Sequence, residues 1–204
     1  MSNKLTSKDK LEIAIESGLQ LIPYIGSPLS TAYFSTKQEK RFKRIETFYH
    51  ELSEQISNLN TEFLPLQHHD EESLIALIER LNDEIEKESS IQKREYFKNF
   101  FIHLLQTPTL ASNYDERRML LESLSSVTFL EFQVLLSFSE WSERYNSFIQ
   151  NVEPNVKAGA ISRLEMHGLL TATYTTISFI GQSPTEKHVT ISEFGKKFIS
   201  FCLE

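Results

Sequence analysis

Five consecutive residues, His68 to Glu72 (HHDEE), form the densest set of potential metal ligands or acid–base groups in the chain. Paired imidazoles beside carboxylates supply the nitrogen and oxygen donors that zinc and similar ions take. The same residues ahead of a helix have a plainer use: Asp70 to Glu72 favour the positive end of the helix dipole, and the histidines stay solvated. We adopt the plainer reading, so neither a metal nor a cofactor is expected. His50 and Glu54 stand four apart on one helix face and read as a salt-screened surface pair. Cys202, the only cysteine, lies on an apolar helix and reads as a packed thiol rather than a nucleophile. The six glycines form neither a dinucleotide fingerprint nor a phosphate loop. No nucleophile-elbow sequence holds a serine. The expectation is a protein without catalytic residues.

Charge supplies the next candidates. Lys37, Lys40, Arg41, Lys43 and Arg44 fall within eight residues. Such a run can touch nucleic acid, anionic lipid or an acidic partner. Its simpler use is a solvated helix face that pairs with the acidic stretch Asp83, Glu84, Glu86 and Glu88. The chain of 204 residues carries a net charge of −7, which argues against a protein that coats DNA. Residues 1–60 are net +1, 61–120 net −5 and 121–204 net −3. One cysteine permits no intrachain disulfide and suits a reducing compartment. The first residues lack the apolar core of a secretory signal, so the expected location is cytoplasmic.

These groups must be positioned mostly by helices. Leu11, Ala14, Ile15, Leu19 and Ile22 share one face of a helix over about 8–22, which breaks at Pro23 to Pro28. Residues 17–36 carry no formal charge and match a membrane span in length. Two prolines and two glycines interrupt them, and a buried helical hairpin is the preferred reading. Then Phe42, Ile45, Tyr49, Leu52, Ile56 and Leu59 step by 3 and 4, a heptad seam. It packs either within its own domain or against a second copy or partner. Further helices are expected from Asp70 or Ser73 (Leu74, Leu77, Ile78, Leu81 and Ile85 inward) and over 90–106 (Ile91, Phe97, Phe100, Phe101, Leu104 and Leu105). Another follows Asn113, which with Glu116 has capping spacing, and carries Met119, Leu120, Leu121 and Leu124.

The last third changes character. Thr128 and Glu131 have the spacing of a capping box, opening a helix that carries Leu130, Val134, Leu135, Phe138 and Trp141. A short helical piece surrounds Phe148 and Ile149. A third helix, Val156 to His167, would bury Val156, Ala160, Ile161 and Leu164 and stop at Gly168. Leu169 to Ile180 is rich in β-branched and aromatic residues and reads as a strand. A turn with Ser183 and Pro184 leads to a second strand, His188 to Ile191. Ser192 caps a final helix with Phe194, Phe198, Ile199 and Phe201 inward. The fold class is mainly α: a helical domain at 1–122, then a module at 123–204 with a two-stranded ribbon.

The order of helix, helix, helix, ribbon and helix, and the segment Ala160 to Phe201, resemble the winged-helix superfamily. In its nucleic-acid-binding members the third helix enters the major groove through polar and basic residues. The resemblance makes Asn155, Lys157, Ser162, Arg163 and His167 the candidate contacts here. The superfamily also holds modules that dock proteins, and the acidic balance of this region favours that use. The KREYF stretch at Lys93 to Phe97 and the segment LESLSSVTFLEFQVLL at Leu121 to Leu136 resemble small bacterial proteins of the abortive-infection-alpha type. That likeness implies a phage-defence setting and transfers no catalytic residue.

Three functions are compatible with these features. The first is an accessory protein that docks a protein partner or a second copy. The second is a dimeric DNA-binding regulator. The third is a membrane effector that inserts residues 17–36.

Overall fold

The computed structural model describes residues 36–58, 63–139, 149–176 and 185–204. The expected first helix, the uncharged segment 17–36, Leu59, Trp141 and the turn at 181–184 lie largely or wholly outside them. The side chains of Lys37, Lys40 and Phe42 lie outside them as well. The described chain is mainly helical, with one small antiparallel sheet near its C-terminal end. It divides into two compact units between Glu122 and Ser123.

In the first unit, helices α1 (Thr36–Asn58), α2 (Glu71–Lys87) and α3 (Ile91–Gln106) pack on one another, followed by α4 (Tyr114–Ser126). The seam residues Ile45, Tyr49, Leu52 and Ile56 are all buried within the chain. Placed there, these four help form the core of their own unit. Leu74, Leu77, Ile78, Leu81 and Ile85 of α2 face the same core. The third helix, α3, contributes Phe97, Phe100, Phe101, Ile102, Leu104 and Leu105.

Two polar groups inside this core, Tyr49 and Lys98, are paired. The Tyr49 hydroxyl donates to Asn82 Oδ1 (2.8 Å), and its ring meets Phe101 edge-on at 6.0 Å. Burial pushes the Tyr49 phenol up to about 12, so the hydroxyl stays a neutral donor. Lys98 is buried and reaches Glu95 (2.8 Å) on its own helix and Glu51 (3.4 Å) on α1. Tyr49→Phe leaves the Asn82 oxygen buried without its donor and is expected to lower stability by about 1–3 kcal/mol in chemical unfolding.

Side-chain caps fix the helix starts. Asp70 accepts the Ser73 N–H and Ser90 accepts the Lys93 N–H. Asn113 departs from expectation. Its side chain accepts the Leu110 N–H and donates to the Pro108 carbonyl, turning back to the loop instead of forming a capping box. Of the apolar residues these helices carry, Ile91 and Met119 are exposed.

The second unit begins with α5 (Phe129–Ser137) under a complete Thr128–Glu131 capping box. It ends sooner than the apolar period predicts. The Ser137 and Ser139 hydroxyls donate to the Val134 and Leu136 carbonyls, and Phe138 N–H closes onto Leu135 O. Such local bonds compete with helix propagation. Helix α6 (Pro154–Met166) ends in a Schellman arrangement: Gly168 N–H reaches Glu165 O, Leu169 N–H reaches Leu164 O, and Gly168 takes φ 70°. Ala160 and Leu164 are buried as expected; Val156 is exposed and Ile161 half-buried. Strands β1 (Leu170–Thr176) and β2 (Thr185–Ile191) pair from Leu170↔Ile191 to Thr176↔Thr185, so the second strand is longer than the apolar run suggested. Helix α7 (Glu193–Phe198) runs into a π-helical turn, Ile199–Leu203. Phe198 stacks on Phe132 at 6.2 Å.

Candidate functional site

The histidine pair is split by the fold. His68 is exposed, whereas His69 is buried at 8 % exposure, which corrects the solvated reading. Its Nδ1 accepts the Thr109 N–H at 3.1 Å. Beside it lies Arg117 of α4, also buried. Arg117 donates to Thr107 Oγ1 (2.7 Å), Pro108 O (2.8 Å) and Thr109 Oγ1 (3.0 Å). Burial lowers the guanidinium's pKa, opposed by the charge of Glu116. Sequence reading missed this cluster because 48 positions separate its two key residues. Asp70 is the α2 cap, and its carboxyl is held low by bonds from Ser73. Among the described residues no group of three or more His, Cys, Asp or Glu side chains is placed to hold a metal. His50 and Glu54 are an exposed pair at 4.0 Å. Cys202 is fully buried, and burial raises its thiol pKa well above the ordinary value.

The basic run lies on the first turns of α1. Lys43 is exposed and Arg41 half-buried. Arg44 is held in the fold, its Nη1 donating to Glu86 O at 2.8 Å. That carbonyl lies in the last turn of α2, where helix carbonyls lack intrahelical donors and favour positive charge. Among the described residues, Arg44 thus meets the 83–88 region through a backbone carbonyl, not a carboxylate.

On α6 two of the candidate contacts, Asn155 and Arg163, are tied to neighbours. Glu153 caps the helix, its carboxylate accepting the Val156 N–H (2.9 Å) and an Asn155 Nδ2 hydrogen (2.9 Å). Backbone bonds from Asn155 and Val156 hold that carboxyl below its usual range, so a negative charge covers the end of the helix. Arg163 meets the buried Glu131 carboxylate at 3.0 Å and donates to Ser126 O at 3.1 Å. The other Glu131 oxygen accepts the Thr128 N–H at 2.6 Å. Arg163 therefore joins α6 to the start of α5. His167 is the C-cap, Lys157 is half-buried and Ser162 is exposed. Sequence reading missed the rest of the exposed face: Val156, Ala158, Gly159 and Met166, the last at 86 % exposure. Near the helix end, Lys187 of β2 pairs with Glu165 at 2.6 Å, and Tyr174, opposite Lys187 in the ribbon, is exposed.

The site and fold together define a mainly helical protein with a two-stranded ribbon and a low-charge exposed helix face. No protein-family model, curated protein or solved structure matches the chain. Among the described residues, no single helix is long and apolar enough to cross a membrane.

Proposed function

We propose that the chain is a non-enzymatic interaction protein whose second unit is a winged-helix module that docks a protein partner through the exposed face of α6. The helical first unit carries it, and the abortive-infection-alpha resemblance suggests a bacterial phage-defence setting. One observation carries the reading: the Glu153 carboxylate covers the N-terminal end of α6, and its Arg163 is held by Glu131, an acid of the same unit, and by Ser126. A helix that reads DNA needs the opposite, with donors and cations free for phosphates and bases. What α6 offers instead is Val156, Gly159, Ser162 and Met166, a small, weakly polar surface suited to the desolvated centre of a protein interface.

Pull-down from the native host, with light scattering at several concentrations, tests this reading. Wild type and Lys157→Glu should retain the same protein, and Met166→Glu should lose it. Met166 is so exposed that its replacement leaves the core intact. A strictly monomeric protein that retains nothing contradicts the proposal. So does a salt-dependent DNA gel shift abolished by Lys157→Glu.

A further inference from the structure

Residues 63–70 and 105–109 are joined by three hydrogen bonds, and one of them ends on a group that can gain a proton. Leu64 N–H donates to Leu105 O (3.1 Å), Asp70 N–H to Thr109 O (2.6 Å) and Thr109 N–H to His69 Nδ1 (3.1 Å). Thr109 is fully buried, so both its backbone groups depend on residues 69 and 70. An Nδ1 that accepts a hydrogen bond carries no proton, which places the proton of the neutral ring on Nε2. That Nε2 is buried, with no hydrogen-bond partner among the described residues. The charged groups around the ring give an added proton no welcome. From α4 the Arg117 guanidinium adjoins it, donating to the same Thr109. On its own segment stand His68 and Asp70, and Asp70 directs its carboxylate to the Ser73 N–H.

We propose that His69 is a proton-operated latch: in acid its Nδ1 takes a proton, confronts the Thr109 N–H donor to donor, and opens the 63–70/105–109 junction while the helices stay packed. The proton comes from solvent, and no covalent bond changes. Opening frees the Thr107–Thr109 segment that Arg117 clasps. Burial first, then Arg117 and His68, lowers the imidazole pKa below its ordinary 6.5. A base depressed in the fold contributes fully above its unfolded value, here about 6.5. That contribution fades as the pH falls toward the folded value.

Amide hydrogen exchange followed by NMR tests the latch between about pH 7.5 and about pH 5.5, the range in which imidazoles charge. Protection of Thr109, corrected for intrinsic exchange, should fall about tenfold, because the freed imidazole titrates near 6.5, and should lie below that of the core amides of Leu81 and Leu104 throughout. His69→Asn keeps an acceptor oxygen at the Nδ1 position without a titrating group, and its Thr109 protection should stay constant. Unchanged Thr109 protection in wild type overturns the latch. So does equal protection at Thr109, Leu81 and Leu104, which means exchange only through global unfolding. If His69→Asn fails to fold, long-range nitrogen spectra of the wild-type ring decide: a proton on Nδ1 at neutral pH rules the latch out.

Discussion

Gly195→Ala is expected to unfold the C-terminal unit, whereas Gly159→Ala is expected to stabilise it. A methyl group at Gly195 would overlap the Leu169 carbonyl oxygen and press to 3.0 Å on its carbon and on Ile191 Cγ1. The obstacle is backbone, and it cannot rotate away. That carbonyl already accepts the Ser192 N–H, and Ser192 Oγ accepts the Gly195 N–H while donating to Gly168 O. Moving α7 outward would therefore break the joint between helix and ribbon. Overpacking of this kind commonly costs 1–3 kcal/mol, and a backbone obstacle puts this case at about 3 kcal/mol or more. A unit of this size has only a few kcal/mol to lose. At Gly159 nothing lies within 4 Å of the added methyl. There the change only removes the entropy that glycine costs a helix, a gain of about 0.5–1 kcal/mol. Thermal unfolding with far-UV circular dichroism separates the two, and a mild effect at Gly195 would show that α7 can slide.

The neighbouring arginines 117 and 118 are expected to differ as sharply. Arg117→Met strips the arginine donors from the Thr109 hydroxyl in a buried setting and from the Thr107 hydroxyl in a part-buried one, while the Pro108 carbonyl keeps Asn113. With each abandoned group costing about 1–3 kcal/mol, the first unit should lose about 2 kcal/mol or more. Arg117→Lys keeps the charge but not the planar fork and should recover only part of the loss. Arg118 pairs with Glu122 at 2.7 Å on the exposed surface, where such pairs contribute little. Arg118→Met should leave the urea midpoint nearly unchanged. Equal midpoints for the two methionine variants would mean that the Arg117 clasp holds nothing.

Much of the fold is legible in the sequence because its signals are local. Thr128 and Glu131 close a capping box, Asp70 and Ser90 open their helices, and Gly168 takes the left-handed turn that ends α6. The apolar period of α2 names the residues it buries. The candidate site is less legible, because periodicity gives a face and not its neighbour. Val156, Ile91 and Met119 keep the helical spacing, yet among the described residues no element covers them. Arg163 looks like a free cation in sequence; only its approach to Glu131, 32 positions earlier, reveals a tie within the fold. His69 and Arg117 meet through a loop whose course no local rule predicts. That loop turns a pair of seemingly solvated histidines into one buried group and one exposed group.

Arg163 also shows how the geometry alters the choice of probe. A charge reversal there would face the buried Glu131 carboxylate with a second acid, and loss of folding would pass for loss of binding. Lys157 and Met166 avoid that confusion, one testing charge and the other the apolar surface. Everything proposed for the second unit rests on the exposed face of α6 meeting protein. A photo-crosslinking amino acid placed at position 166 and activated in the native host tests this most directly. The expected result is a discrete protein adduct, lost when Val156→Glu is added. Adducts to nucleic acid alone, or no adduct at all, would contradict it.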